Sequence, residues 1–375
     1  MSSGSVRALK LCIDEIGTFL RKWGETMRIA VIGMGVIGRV RAETVAEHPD
    51  TELVAVMDLD AAAAEGVAKA FKAKAYTDYK ALLDAGGLDA VIISSPIQVH
   101  EEQCMDALDA GCHVLCEKPL APSSAAGRRI FDRAREKGKQ LAVGFNHRYY
   151  PSIQYLKKCL DDGLIGKLDH VRIYGGHDGL NNFRADWMYK GEVCGGGAMM
   201  DAGIHMTDLA RFVVGEIDEV YGVATNDIWK VEKSEDNAMA LFKSTAGPTV
   251  QYQATWTEWK GYHFFVEAYG DLGMVRGYYA PMYNLLVTHD KPGGPRVKKR
   301  RFYPEIILRE KLKGWQSTSK LTFQQELVDF LARLDGGKGA LANGWDGVRS
   351  VEIAEAVYRS HREGNAIRLS PVPDE

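Results

Sequence analysis

Three glycines, Gly33, Gly35 and Gly38, close the apolar run MRIAVIG (27–33) and open a helical segment that reaches about His48. Gly33 permits a tight turn, Gly35 lets a pyrophosphate approach the backbone, and Gly38 allows close helix–strand packing. Met34, Val36 and Ile37 fill the loop, and the free N–H groups of the helix start face an anion. Glycines also end strands for turn reasons alone, so the context decides. The next apolar run, TELVAVMD (51–58), ends in Asp58, 25 positions after Gly33. A carboxylate there accepts both hydroxyls of an adenosine ribose and repels a 2′-phosphate. Leu59 and Asp60 follow, with no Arg or Lys at once behind them. The expected cofactor is therefore NAD rather than NADP.

From Met27 the chain alternates strand and helix signals. Apolar runs at 89–95, 112–117 and 140–145 are separated by helix formers, beginning with 61–73. Continuous apolar strands joined by helices imply a parallel sheet covered on both faces. After Pro151 the pattern changes. A helix at about 152–162, a strand at 167–175 and a helix at about 198–214 precede the runs EVYGVAT, NAMALFK, TVQYQATWTEW, YHFFVEAYG and MVRGYY. These alternate in the manner of antiparallel strands, and helical stretches at about 319–335 and 345–362 close the chain. The fold class expected is α/β, with a Rossmann domain over 27–148 and a second α/β domain over 149–375. Residues 1–26 form an N-terminal extension. Leu9, Ile13, Ile16 and Leu20 give it helical spacing, while Asp14 and Glu15 break any signal-peptide core. It is read as a docking helix or a start-site artefact ahead of Met27.

A net charge of −3 gives no reason to expect nucleic acid or membrane partners. None of the six cysteines (Cys12, Cys104, Cys112, Cys116, Cys159 and Cys194) forms a C-x-x-C pair, and all are read as reduced and mostly buried in a cytoplasmic protein. No zinc or calcium ligand spacing occurs, so no metal is expected.

The segment AGCHVLCEKPLA resembles the E-K-P signature of the glucose–fructose oxidoreductase, inositol dehydrogenase and MocA (Gfo/Idh/MocA) family. SSPIQVH (94–100) is similar to that family's T/S-P-x-x-x-H loop, GFNHRYYP (144–151) to the end of its cofactor domain, and GGGAMMDAGIHMTD (195–208) to its second-domain motif. The resemblance implies a C-terminal domain with a large open sheet through which members often pair, so a homodimer or homotetramer is expected. It implies that Lys118 lies beside the nicotinamide and the reacting oxygen. It places Asp201 and His205 at the substrate, and Ser95, Pro96, His100 and Glu117 along the cofactor. In FRADW (183–187), Arg184 and Trp187 match more loosely the family's Arg and Trp near the nicotinamide.

Oxidising a secondary alcohol needs a base within hydrogen-bond reach of the hydroxyl. Asp201 and His205, four apart on the expected helix, share one face. The reading gives His205 the acid/base role, Lys118 the electrostatic and relay role, and Asp201 the orientation of substrate. Each has a plain alternative as a solvated or paired surface group. Asn146, Arg148 and His177 are further substrate candidates, although His147 and Arg148 equally suit a tie between domains. The activity expected is hydride transfer between NAD and an alcohol of a sugar, sugar derivative, glycoside or cyclitol. Glycoside cleavage or epimer-type chemistry on tightly bound NAD is the alternative, with His177 or Tyr149 as second acid/base, and an NAD-sensing regulator is a third reading. KKRR (298–301) is read as a solvated hairpin, and the aromatics at 252–265 as core or an oligomer face.

Overall fold

The computed structural model describes residues 26–182 and 190–372. The helix expected at 7–22, Cys12, Arg184 and Trp187 lie outside the described residues.

The first sheet has six parallel strands: β1 (Met27–Ile32), β2 (Thr51–Met57), β3 (Lys74–Tyr76), β4 (Ala90–Ile93), β5 (His113–Cys116) and β6 (Leu141–Val143). Their order is β3-β2-β1-β4-β5-β6. The chain runs outward from β1 to β2 and β3 and then crosses back to β4 on the other side of β1, so a crevice opens at the carboxyl ends of these strands. Ile29 and Val31 of β1 face one apolar cluster, and Ala30 and Ile32 face the other. This two-sided burial is why the strands read as unbroken apolar runs.

The end of the chain returns to this sheet. Leu327, Phe330 and Leu331, from the helix Gln316–Leu334, join the cluster of Ile29 and Val31. Val348 and Val351, from the helix Gly344–Glu363, join that of Ala30 and Ile32. Val143 N–H donates to Ala342 O at 3.0 Å, which ties the returning segment to β6.

The second sheet has nine strands: β7 (Leu168–Gly176), β8 (Ile217–Thr225), β9 (Asn237–Ser244), β10 (Thr249–Thr255), β11 (His263–Gly270), β12 (Gly273–Tyr279), β13 (Tyr283–His289), β14 (Arg296–Phe302) and β15 (Ile367–Arg368). The order is β14-β13-β12-β11-β7-β10-β9-β8-β15, and only the β7–β10 pair is parallel. Helices Pro151–Asp161, Gly203–Val214 and Gly344–Glu363 pack against one face. Burial alternates along β9 and β8 accordingly, with one side chain in two turned outward. KKRR lies in β14, an exposed edge strand hairpinned to β13. Strands β13 and β14 and the helix Pro304–Lys313 are additions to the sequence reading.

Cys104, Cys112, Cys116 and Cys159 are buried free thiols and Cys194 is half-buried. Among the described residues no helix is long and apolar enough to cross a membrane.

Candidate active site

The glycine loop separates folding from binding. Gly33 has φ +91°, and a Cβ there would come within 2.6 Å of Ser95 N. A Cβ on Gly38 would lie 1.7 Å from Gly33 O. A Cβ on Gly35 would meet nothing within 4 Å, so the space over its backbone is open. The helix Val36–Glu47 starts there with no side-chain cap, leaving its first N–H groups for an anion. Met34 is buried, and its N–H donates to Asp58 Oδ2 at 2.6 Å, while Asp60 N–H donates to Oδ1 at 2.9 Å. The Asp58 carboxylate is thereby fixed at the loop edge, and each oxygen keeps capacity to accept a ribose hydroxyl. These residues fit a bound dinucleotide.

The opposite wall is made by Ser95 and Pro96 after β4 and by Glu117 and Lys118 after β5. His100 is buried between them, its Nδ1 3.0 Å from Pro119 O and its Nε2 2.8 Å from Ser95 O. It binds the two loops together rather than facing outward. Ser95 Oγ donates to Gln103 Oε1 at 2.5 Å. Glu117 takes two hydrogen bonds from the buried Arg41, at 2.8 and 2.6 Å, and Arg41 also reaches Glu326 at 2.5 Å. One guanidinium therefore fixes the glycine-loop helix, the E-K-P turn and the returning helix. Burial, against these charges, pushes the Glu326 carboxyl up to about 7.

Lys118 Nζ donates to Asp201 O at 2.9 Å and lies 3.9 Å from Asp201 Oδ1. Asp201 Oδ2 accepts from His177 Nε2 at 2.7 Å and from Trp256 Nε1 at 3.2 Å. Gly179 N–H donates to His177 Nδ1 at 3.1 Å, so Nδ1 accepts and Nε2 is the nitrogen that donates to Asp201. Burial raises the Asp201 carboxyl, but the hydrogen bond from His177, the charge of Lys118 and the hydrogen bond from the Trp256 indole outweigh it. It stays below the usual carboxylate range.

Asp201 does not share a helix with His205 as expected. Gly195 and Gly196, at φ +81° and +157°, lead into turns through 202, and the helix begins only at Gly203. The turn leaves Asp201 O for Lys118. His205 lies in the first turn of the helix, 6% exposed. Its Nδ1 is sealed and takes no hydrogen bond among the described residues, which leaves Nε2 to meet a ligand. Burial, then His147 and Lys118, hold its pKa well below the ordinary histidine value.

Residues 27–145 match the family described as "Oxidoreductase family, NAD-binding Rossmann fold", and residues 153–276 match the GFO/IDH/MocA C-terminal domain. The chain belongs to the GFO/IDH/MocA family. It is an NAD-dependent oxidoreductase acting on CH–OH groups. Inositol 2-dehydrogenase of Rhizobium meliloti is 27% identical over 92% of this chain and all of that protein. D-glucoside 3-dehydrogenase of Escherichia coli is 36% identical over 50% of this chain and 54% of that protein. Levoglucosan dehydrogenase in complex with NADH shares the fold at a TM-score of 0.82 and 22% identity, covering 93% of this chain and 100% of that one.

Two expected substrate contacts of this family member turn inward instead. Arg148 is buried, with Nε and Nη2 on Asp208 at 2.8 and 2.6 Å, Nη1 on Ala340 O at 3.1 Å, and Nη2 also 3.2 Å from Asp346 Oδ2. Its charge is consumed by buried carboxylates, so it joins the domains. Asn146 donates to Thr322 Oγ1 at 2.8 Å, and Thr322 donates onward to Ser319 O. The amide oxygen is thus left to accept from His147 Nδ1 at 3.2 Å, and His147 Nε2 accepts from Tyr262 O–H at 2.6 Å. Tyr149, considered as a second acid/base, donates to Asp329 and is buried.

His147, Trp256 and Tyr262 are what sequence reasoning undervalued. Trp256 donates to Asp201, His147 stacks on His205 and Tyr262 donates to His147, yet Trp256 and Tyr262 carried no signal beyond aromatic strand composition.

Proposed function

We propose that the enzyme oxidises a secondary alcohol of a sugar, sugar derivative, glycoside or cyclitol, with His205 as base, Lys118 as the fixed cation and Asp201 orienting a neighbouring hydroxyl. One observation carries this reading: a neutral, buried histidine and a lysine stand together beside an ionised carboxylate, next to a dinucleotide cradle. NAD supplies the hydride acceptor when bound. Lys118 stabilises charge growing on the substrate oxygen as His205 Nε2 takes the hydroxyl proton. Asp201, acceptor-only in its ionised state, suits a hydroxyl-rich ligand. The two relatives named for inositol and D-glucoside oxidation support a polyol or sugar substrate.

The test is NADH formation with purified enzyme, NAD and a panel of inositols, aldoses, sugar acids and glycosides. Net NADH with one class, abolished in His205→Ala with NAD affinity kept, is the expected result. Tightly retained NAD and substrate conversion without NADH would favour internal redox chemistry instead.

The same reading includes a homo-oligomer in the cytoplasm. On the sheet's open face, exposed Tyr221 pairs across β8 and β9 with Leu241, and Val223 with Met239. This apolar ladder supports pairing with a second copy. Sedimentation of wild type against Leu241→Lys tests it: a lighter variant is expected.

A further inference from the structure

A line of contacts leads from the Asp201 carboxylate out to an uncovered tryptophan. His177 Nε2 holds Asp201, and Gly179 N–H holds His177 Nδ1. Gly179 lies against the Trp229 indole so closely that a Cβ there would come within 2.3 Å of Trp229 Nε1. Trp229 packs on Trp259 with ring centroids 5.9 Å apart and planes tilted by 52°. A second route is shorter. Trp256, whose indole N–H reaches Asp201, stands three residues before Trp259, at most about 11 Å of chain.

The outer end of this line is apolar and rests on a fixed loop. Trp259 is 63% exposed and Ile228 is 58% exposed. The loop carrying Ile228 and Trp229 is fixed by two N–H donors to Asp236 Oδ2, at 2.7 and 3.0 Å, and by Trp229 Nε1 on Trp256 O at 2.9 Å. An exposed indole packed on a second indole that is itself held in place offers a flat, partly apolar ligand a preorganised face. A pyranose ring or an aryl group has such a face, whereas the inner groups Lys118, Asp201 and His205 address hydroxyls.

We propose that Trp259, backed by Trp229, is a stacking subsite for a second ring, so that the preferred substrates are glycosides with a ring aglycone or disaccharides rather than free cyclitols. This rests on the sugar-alcohol reading above. The inner ring presents its hydroxyl to His205 and Lys118, and the attached ring lies on the Trp259 indole. Among the described residues, no hydrogen bond, ion pair or ring contact joins Trp259 to Lys118, Asp201 or His205.

The experiment compares wild type, Trp259→Ala and Trp259→Phe on two sets of compounds. The single-ring set is myo-inositol and methyl α- and β-D-glucopyranoside. The two-ring set is phenyl α- and β-D-glucopyranoside, cellobiose and maltose. KM and kcat are measured with NAD, and dissociation constants with the NADH-bound enzyme by calorimetry. Trp259→Ala is expected to weaken at least one two-ring compound by about fivefold or more, with kcat and the single-ring constants unchanged. Trp259→Phe is expected to recover most of that loss. Equal weakening of both sets, no change in either, or a changed oligomeric state without selective weakening would overturn the subsite. Selective binding without NADH from any compound would keep the subsite and defeat the dehydrogenase reading alone.

Discussion

His147 lies flat on His205, with ring centroids 3.7 Å apart and planes 23° apart. Burial, and Lys118 next to it, also hold the His147 pKa well below its ordinary value. Both rings are therefore neutral at pH 7. A depressed folded pKa means that the unfolded chain binds the proton first. Stability from neutral burial is complete above about pH 6.5 and is lost as pH falls below it, by up to about 1.4 kcal/mol per pH unit for each histidine. His147→Phe keeps the ring and removes one such proton. Urea denaturation at pH 7.5 and 5.5 is expected to show a smaller acid loss in the variant. The acid limb of log kcat/KM is expected to move to higher pH, because one of the influences depressing His205 is gone. An unmoved limb would remove His205 from the role of base.

Gly35 and Gly38 give opposite phenotypes although both belong to one motif. A Cβ at position 35 enters open space, and one at position 38 collides with Gly33 O. Gly35→Ala is expected to keep its melting temperature within a few degrees and to weaken NAD by about tenfold or more, since the methyl stands where a pyrophosphate approaches. Gly38→Ala is expected to lose stability before affinity can be measured. Differential scanning fluorimetry with and without NAD separates the two.

The motif, the parallel sheet and the order of elements were legible because each rests on short-range pattern: glycines at a turn, apolar runs of strand length, a carboxylate ending β2. The inward turn of Arg148 was not, because its partners Asp208 and Asp346 lie 60 and 198 positions away. A charged residue near a motif reads the same whether it faces a ligand or a buried acid. Asp201 was read on the wrong element, since helix periodicity continues through residues 198–202, which form turns after three glycines. The return of residues 316–363 to the first sheet was equally hidden, because an amphipathic helix shows its apolar stripe but not the surface that covers it.

We propose that Asp58 sets cofactor choice through position and charge together. Its two oxygens are held by the N–H groups of Met34 and Asp60, and its expected role as the ribose acceptor is what the next variant tests. Asp58→Ser removes the charge that would repel a 2′-phosphate and one of two hydroxyl acceptors. NAD is expected to weaken by about tenfold and the NAD-to-NADP preference to shrink by more than that. Fluorescence titration with NADH and NADPH reads both. An unchanged ratio would place the ribose elsewhere.

Arg148 tests whether the inward network is structural. Asp208 has no exposure, and burial lifts its carboxyl to about 6 even with Arg148 bound to both oxygens. Arg148→Met leaves that carboxylate without its main partner, a loss of about 3–5 kcal/mol for a broken buried pair. The remaining carboxyl then rises further, so the folded state holds a proton that the unfolded state releases near pH 4. The wild-type carboxyl already keeps its proton up to about pH 6, so the penalty relative to wild type is expected to grow as pH rises above about 6 and to be milder at pH 5 than at pH 8. Adding Asp208→Asn should recover part of the loss and flatten this dependence. Urea midpoints of the single and double variants at the two pH values measure it. KM for substrate in the folded fraction is expected to stay near wild type, and a large KM increase with normal stability would return Arg148 to the substrate site.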